Sequence, residues 1–268
     1  MSEAITSKRN PRLRELKRLR ERKHRREQGL FVAEGEDLVG EALRRGATPE
    51  TVFSVRGAGL PFVLPQGVEH VEATAEALSA VSSLGSGSRV MGVFHQQWAS
   101  LTEASSRPQP DRHLGGGRPY VYLHDVSDPG NVGAVLRAAH AFGAAAVILS
   151  ERAADPFGPK AVRASMGAVF AVPVTRASLG EARGALGARA LALVPGAGQP
   201  LRGFDLSAPV LFVFGGERSG LPAAISEACD ETVHIPLEPD SAESLNVAMA
   251  ATLCLYESTL HRLSAGYE

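Results

Sequence analysis

Apolar residues follow two rhythms along this chain. Compact runs such as FVAEG (31–35), TVFSV (51–55), PFVLP (61–65) and VMGVFHQ (90–96) predict strands. Between them, EDLVGEALRRG (36–46) and ATAEALSAVSS (73–83) repeat apolar positions at helical spacing. Residues 1–98 are therefore expected to form a small α/β domain. Residues 99–118, ASLTEASSRPQPDRHLGGGR, lose both rhythms and are rich in Ser, Pro and Gly, the composition of a linker. The alternation resumes at residue 119. PYVYLHDV (119–126), AAVILS (145–150), RALALV (189–194), VLFVF (210–214) and ETVHIPL (231–237) read as strands. NVGAVLRAAHAFG (131–143), LGEARGAL (179–186), PAAISEAC (222–229) and a last segment opening with SLNVAMA (244–250) read as helices, and SMGAVFAVPV (165–174) is mixed. This pattern predicts an α/β domain over 119–268, a parallel sheet covered by helices on both faces. Ligands in such sheets bind at the carboxyl ends of the strands.

Composition adds limits rather than an answer. The 268 residues are 44% hydrophobic and 21% charged, ordinary globular values. No run of 18 or more apolar residues suggests a membrane span, and the polar, basic start has no signal-peptide core. Cys229 and Cys254 are far apart and lack a CxxC spacing, so neither a disulfide framework nor a metal site is expected. A cytoplasmic setting follows. The net charge of −1 conceals an asymmetry: residues 8–26 hold 11 of the 28 Lys and Arg but only Glu15 and Glu21 of the 29 acids. A basic arm on an acidic body is the footprint of a polyanion partner. Asn10-Pro11 marks the start of a basic helix, and Leu13, Leu16 and Leu19 form a stripe that docks it.

Three loops at strand ends carry candidate chemistry. In HDVSDPGNVGAVLRAAHAFG (124–143), Asp128-Pro129-Gly130 is a turn and Asn131 is placed to cap a helix. Arg137 lies within that helix between Val135-Leu136 and Ala138-Ala139, where a guanidinium calls for an anionic partner. In LFVFGGERSGLP (211–222) a strand ends in two glycines and Glu217, without the sequence of a phosphate loop or dinucleotide turn. In HIPLEPDSAESLNVAMA (234–250), Ser244 reads as the cap of the last helix. Asn246 then falls on the first turn, where capping does not need its amide. Convergence of the three loops would gather Asn131, Arg137, Glu217, Ser244 and Asn246.

The ordered set DPGNVGAVLRAAHAFG, FGGERSGLP and IPL…SLNVAMA resembles the SpoU/TrmH class of RNA 2′-O-methyltransferases, part of the SPOUT superfamily. Residues 1–98 are similar to that class's L30e-like substrate-binding domain, carried by ITSKRNPRLRELKRLRERKHRREQGLFVAEG and EDLVGEAL. The resemblance implies a C-terminal parallel sheet with a deep trefoil knot, S-adenosylmethionine as cofactor, no metal, and a homodimer. Residue by residue it implies catalytic roles for Asn131, Arg137, Glu217, Ser244 and Asn246. It implies cofactor contacts for Gly215, Ile235, Leu237 and Leu245. The second motif departs from the family's usual form in Gly216 and Arg218, on either side of the retained Glu217.

The reaction implied is methyl transfer to a ribose 2′-hydroxyl, which needs alignment and removal of a proton. Arg137 is nearly always charged, so its expected role is to bind phosphate and hydroxyl and stabilise the developing alkoxide. The N-terminal domain and arginine-rich arm favour 23S rRNA as substrate, with Arg9, Arg12, Arg18, Arg22, Arg25 and Arg26 as candidate RNA contacts. Some members of the class protect the ribosome of an antibiotic producer, and 24 arginines among the 28 basic residues suit GC-rich coding. A housekeeping enzyme would look the same. The alternatives are a tRNA 2′-O-methyltransferase and a non-catalytic RNA-binding ribosome-assembly factor. A base methyltransferase is disfavoured: the [DNS]PP[YFW] motif is absent, and neither cysteine sits in a suitable loop.

Overall fold

The basic arm folds as two helices, α1 (Pro11–Arg18) and α2 (Arg22–Gln28), in the computed structural model, which describes residues 4–85, 87–106, 117–238 and 243–265. Asn10 starts α1: its Oδ1 accepts the Arg12 N–H at 2.9 Å, and Pro11 has no N–H to leave unsatisfied. Leu13, Leu16 and Leu19 are buried as one stripe. The single basic helix expected from the sequence breaks at Arg20 because Arg25 turns inward. Its Nη1 donates to the Leu19 and Arg20 carbonyls at 2.8 and 2.7 Å, satisfying acceptors that the break exposes.

Next come β1 (Leu30–Glu34), α3 (Glu36–Arg44), β2 (Thr51–Val55), β3 (Glu69–Ala73), α4 (Ala75–Ser79) and β4 (Val90–His95). The strands form a sheet of order β1-β4-β2-β3, antiparallel except between β2 and β3. The predicted strand 61–65 is a loop. Pro61 and Pro65 cannot donate to a ladder, and Val63 is 90% exposed. EHVEA (69–73) takes the edge instead, with Val71 and Ala73 buried and Glu69 and His70 exposed. Its polar composition hid it from the apolar pattern.

The remaining elements are α5 (Leu101–Ser105), β5 (Tyr120–Leu123), α6 (Pro129–Ala141), β6 (Ala146–Leu149), α7 (Pro159–Ser165), β7 (Val174–Arg176), α8 (Leu179–Leu186), β8 (Arg189–Leu193), β9 (Gln199–Pro200), β10 (Val210–Phe214), α9 (Ala223–Glu227), β11 (Glu231–His234) and α10 (Val247–Ala265). α5 lies inside the expected linker, closed by a Ser100/Glu103 capping box and packed on α8. Residues 107–116 of that linker lie outside the described residues.

The chain divides into two units, residues 1–97 with 155–171, and residues 98–154 with 172–268. Segment 155–171, expected in the second domain, packs with the first. Its Phe157 and Phe170 rings lie 5.0 and 5.5 Å from Phe31 of β1, and Phe170 lies 4.8 Å from Phe94 of β4. Asp155 accepts from Arg25 Nη2 at 2.6 Å and from Arg25 Nε at 3.0 Å. Arg25 is 4% exposed. Its charge is thus held inside the first unit, and it leaves the expected set of RNA contacts.

The second unit is built on a parallel sheet of order β7-β6-β5-β10-β8-β11-β9. β5, β6 and β10 are buried along their whole length, as expected of strands covered on both faces. α10 packs on α6, where Arg262 Nη2 donates to the Phe142 carbonyl at 2.6 Å. Met249, Leu253, Tyr256, Leu260 and Leu263 of α10 remain exposed, at alternating spacings of four and three.

Candidate active site

β10 lies between β5 and β8, with β11 beyond β8, and all four run parallel. The loops that follow them therefore leave the same edge of the sheet. This is why three segments far apart in sequence meet.

The helix starts decide what each amide can do. Asp128 caps α6, with its Oδ1 accepting the Gly130 N–H at 2.8 Å and Pro129 in the first turn. Asn131 is therefore free of capping and donates from Nδ2 to Glu217 Oε1 at 2.7 Å. Asn246 caps α10: its Oδ1 accepts the Ala248 and Met249 N–H groups at 2.9 and 3.4 Å. Its Nδ2 donates to Asn131 Oδ1 at 3.0 Å. The expected capping roles are thus reversed. Asp128 and Asn246 are the caps, and Ser244 lies two residues ahead of Asn246 in an exposed position. The helix begins after Asn246 because that is where the amide can serve both the helix and the loop of α6.

Glu217 also accepts the Ser127 N–H, at 3.4 Å. Partial burial of its carboxyl opposes ionisation. Hydrogen bonds from Asn131, its own backbone, Ser127 and Asp128 outweigh this and hold its pKa below the ordinary 4.5. Glu217 is therefore a carboxylate at neutral pH.

Below the Glu217 loop, Asp125 adopts φ 53°, a left-handed conformation that costs a non-glycine residue free energy. It is locked there by Ser150, whose Oγ accepts the Asp125 N–H and donates to its Oδ1, both at 2.8 Å. Arg152 pairs with the other carboxylate oxygen. The turn carries the Asp125 carbonyl under Gly216, where an added Cβ would lie 2.8 Å from the oxygen. An added Cβ on Gly215 would lie 2.1 Å from the Gly220 carbonyl carbon. Both glycines are required by this packing.

A cleft of about 430 Å³ opens beside these residues. Gly215, Gly216, Glu217, Ile235, Leu237, Ser244 and Leu245 line it, together with Leu193, Phe214 and Val247. All four expected cofactor contacts, Gly215, Ile235, Leu237 and Leu245, therefore face one cavity. Asn131 and Asn246 reach its rim through Glu217. Arg137 does not line it. The sequence places Arg137 in apolar company, yet the side chain is exposed and makes no hydrogen bond or ion pair among the described residues. Val135, Leu136, Ala138 and Ala139 are buried while Arg137 occupies the outward stripe of the helix.

Two contributors escaped the sequence reading. The first is Asp125, whose backbone conformation has no signature in HDVSDPGN. The second is the loop after β8, which brings Val194 and Pro195 to the cleft. Its signal was present, since RALALV runs directly into PGAGQP, but the adjacency of β8 and β10 is a property of the fold. His234 also lines the cleft, with Nδ1 3.2 Å from the Ala197 carbonyl. Neither cysteine is a ready nucleophile. Burial pushes the Cys229 thiol up to about 11 and the fully buried Cys254 thiol higher still.

Known proteins resemble this chain along most of its length. Residues 118–256 match the SpoU rRNA Methylase family, and residues 10–92 match the MRM3-like substrate binding domain. A 23S rRNA (guanosine(2553)-2′-O)-methyltransferase of Bacillus subtilis is 30% identical over 255 residues, covering 94% of this chain and 97% of that protein. A 23S rRNA (uridine(2479)-2′-O)-methyltransferase of Streptomyces viridochromogenes is 41% identical over 153 residues, 54% of this chain and 53% of that one. The solved structure of an AdoMet-bound rRNA methyltransferase from Sinorhizobium meliloti superposes with a TM-score of 0.82 at 31% identity, covering 97% of this chain and 98% of that chain.

Proposed function

The chain belongs to the SpoU rRNA methylase family, and from that premise we propose that it methylates a ribose 2′-hydroxyl of 23S rRNA with S-adenosylmethionine. The observation that carries this reading is the hydrogen-bonded series Asn246–Asn131–Glu217 on the rim of a glycine-walled, apolar cleft. The cleft fits the cofactor. Leu193, Phe214, Ile235, Leu245 and Val247 offer apolar walls for a flat base and an alkyl chain, and Gly215 and Gly216 let the backbone approach closely.

The sulfonium of the cofactor supplies a methyl group already activated for transfer. The chain's own residues then have two tasks, to align the ribose and to stabilise charge. The Asn246–Asn131–Glu217 series holds polar groups in fixed directions at the cleft mouth, so the hydroxyl is bound without reorganisation. Ser244 stands on the same wall. Arg137 carries a permanent charge for the RNA phosphate and the developing alkoxide.

We read the protein as a cytoplasmic homodimer. The exposed apolar stripe on α10 has the spacing of a helix-pairing seam, and α6, which bears Arg137, packs beside it. On this reading Arg137 reaches a cleft when a second copy docks. The strand order, in which β10 inserts between β5 and the earlier-made β8, supports the family's trefoil knot. Residues 1–98, with segment 155–171 packed among them, serve as the RNA-binding domain and the remainder of 119–268 as the catalytic domain, with Arg9, Arg12, Arg18, Arg22 and Arg26 facing solvent as RNA contacts.

The test is in vitro methylation with radiolabelled S-adenosylmethionine of 23S rRNA, 16S rRNA and bulk tRNA. The expected result is label at one alkali-resistant linkage in 23S rRNA, lost in Arg137→Ala. Label confined to tRNA would move the substrate, and no label with no cofactor binding would favour an assembly factor.

A further inference from the structure

The carboxyl edge of the parallel sheet continues beyond the cleft, and a second feature sits at its far end. From β10 the edge passes to β5, β6 and β7. Asp125 at the end of β5 is held by Ser150 and Arg152 at the end of β6. That same turn is tied to β7, because Arg176 Nη1 donates to the Ser150 and Glu151 carbonyls at 2.6 and 2.7 Å. The Arg176 guanidinium lies 5.3 Å from the centre of the Trp98 ring. Trp98 itself runs parallel to β7, bridged to Val174, and the Ala99 N–H donates to the Val174 carbonyl at 2.8 Å.

We propose that Trp98, backed by Arg176, is a stacking platform for an unpaired RNA base a few nucleotides from the methylated ribose. Trp98 is the lone tryptophan of the chain, and it remains 41% exposed although its backbone is fixed in the sheet. A large aromatic that is anchored and left open to solvent at the end of a functional edge is suited to accept a flat apolar face. The guanidinium over the indole stiffens the ring and brings positive charge beside a bound strand. Carbonyl oxygens fix that guanidinium in place. Trp98 lies one strand spacing beyond β7, so four spacings of about 4.8 Å, roughly 19 Å, separate it from β10, and the base held here is not the one being modified. Single-stranded RNA is recognised by stacking on exposed aromatic side chains, largely without regard to sequence. This inference rests on the proposed RNA substrate and names how its flanking strand is held.

Because Trp98 is the lone tryptophan, the intact protein reports on itself. Its emission is titrated with a short oligouridylate, while binding is followed separately by the anisotropy of a fluorescein on that RNA. Saturable quenching of Trp98 with the same midpoint as the anisotropy is expected. Trp98→Leu should weaken RNA binding about tenfold, Trp98→Phe should keep most of the affinity, and both should bind S-adenosylmethionine as before. RNA binding or methylation with Trp98 emission unchanged would overturn the platform and leave the enzyme reading standing. Equal affinities of the Leu and Phe variants for RNA would do the same. Absence of both RNA binding and methylation would instead overturn the proposed function itself.

Discussion

Nδ2 of Asn246 donates to Oδ1 of Asn131 at 3.0 Å, and this one bond orients both amides. Asn246 Oδ1 is already committed to the N-terminus of α10, so only its nitrogen can face Asn131. Asn131 must therefore present its oxygen to Asn246 and its nitrogen to Glu217. Polarity runs in one direction, from the helix start to the carboxylate.

That direction separates capping from catalysis at Asn246. Asn246→Asp keeps an N-cap acceptor but replaces the donor with a second anion facing Asn131 Oδ1. It should retain thermal stability and lose methylation at least tenfold. Asn246→Ala should lose activity and also about 1 kcal/mol of stability. Thermal denaturation beside a methylation assay checks both, and an active Asp variant would sink the directional series.

Arg137 is exposed and free of protein partners among the described residues, so removing it should leave the fold intact. Arg137→Ala is expected to change stability by less than about 0.5 kcal/mol and to reduce kcat for RNA methylation by about 100-fold or more. Arg137→Lys keeps the charge without the planar fork and should remain well below wild type. Full activity of the Lys variant would remove the need for a guanidinium.

The dimer reading is tested by complementation. Arg137→Ala and Asn246→Ala proteins, each inactive, are co-expressed and purified as a mixed dimer through two different tags. Recovery of part of the wild-type activity is the expected outcome. No recovery in a verified mixed dimer would mean that both residues act within one chain.

The arginines of the basic arm should fall into two classes. Arg25→Ala leaves Asp155 with an uncompensated buried charge, at a cost of about 3–5 kcal/mol in a chemical denaturation curve. Arg22→Ala and Arg26→Ala should barely alter stability. Each should lower the slope of log affinity for RNA against log salt by about one.

The pKa of Glu217 is lowered on folding, so its carboxylate stabilises the native state. The contribution is complete above the ordinary value of 4.5 and is lost as pH falls through the lower folded value. Glu217→Gln should therefore be less stable than wild type at pH 7, with the gap closing as pH drops below 4.5. A gap that widened on acidification would reverse the sign of the shift.

Much of this molecule was legible from the chain. The strand VLFVF and the helix LGEARGAL fold at their predicted residues, because burial on both faces and a Ser178/Glu181 capping box leave little choice. The three polar loops were also recognisable. What stayed hidden depended on neighbours in space. EHVEA is an edge strand whose polar face needs no apolar residues. The caps of α6 and α10 were misassigned because Asp128 competes with Asn131, and Ser244 with Asn246, for the same role. Arg137 looked buried by its sequence neighbours, although one exposed position per turn is what a helix packed on a sheet provides. The inward turn of Arg25 required Asp155, distant in the chain.

The placement of residues 155–171 has a consequence for how the protein is made. The ring of Phe31 waits for Phe157 and Phe170, and Arg25 waits for Asp155. A ribosome that has finished β4 has therefore not yet finished the first unit. It must synthesise β5, α6 and β6 of the second unit before the missing segment emerges. The two halves cannot mature one after the other. A newborn chain halted between β4 and residue 171 keeps an aromatic surface and a buried-type arginine open to solvent, the kind of transient exposure that makes an incomplete unit prone to aggregate.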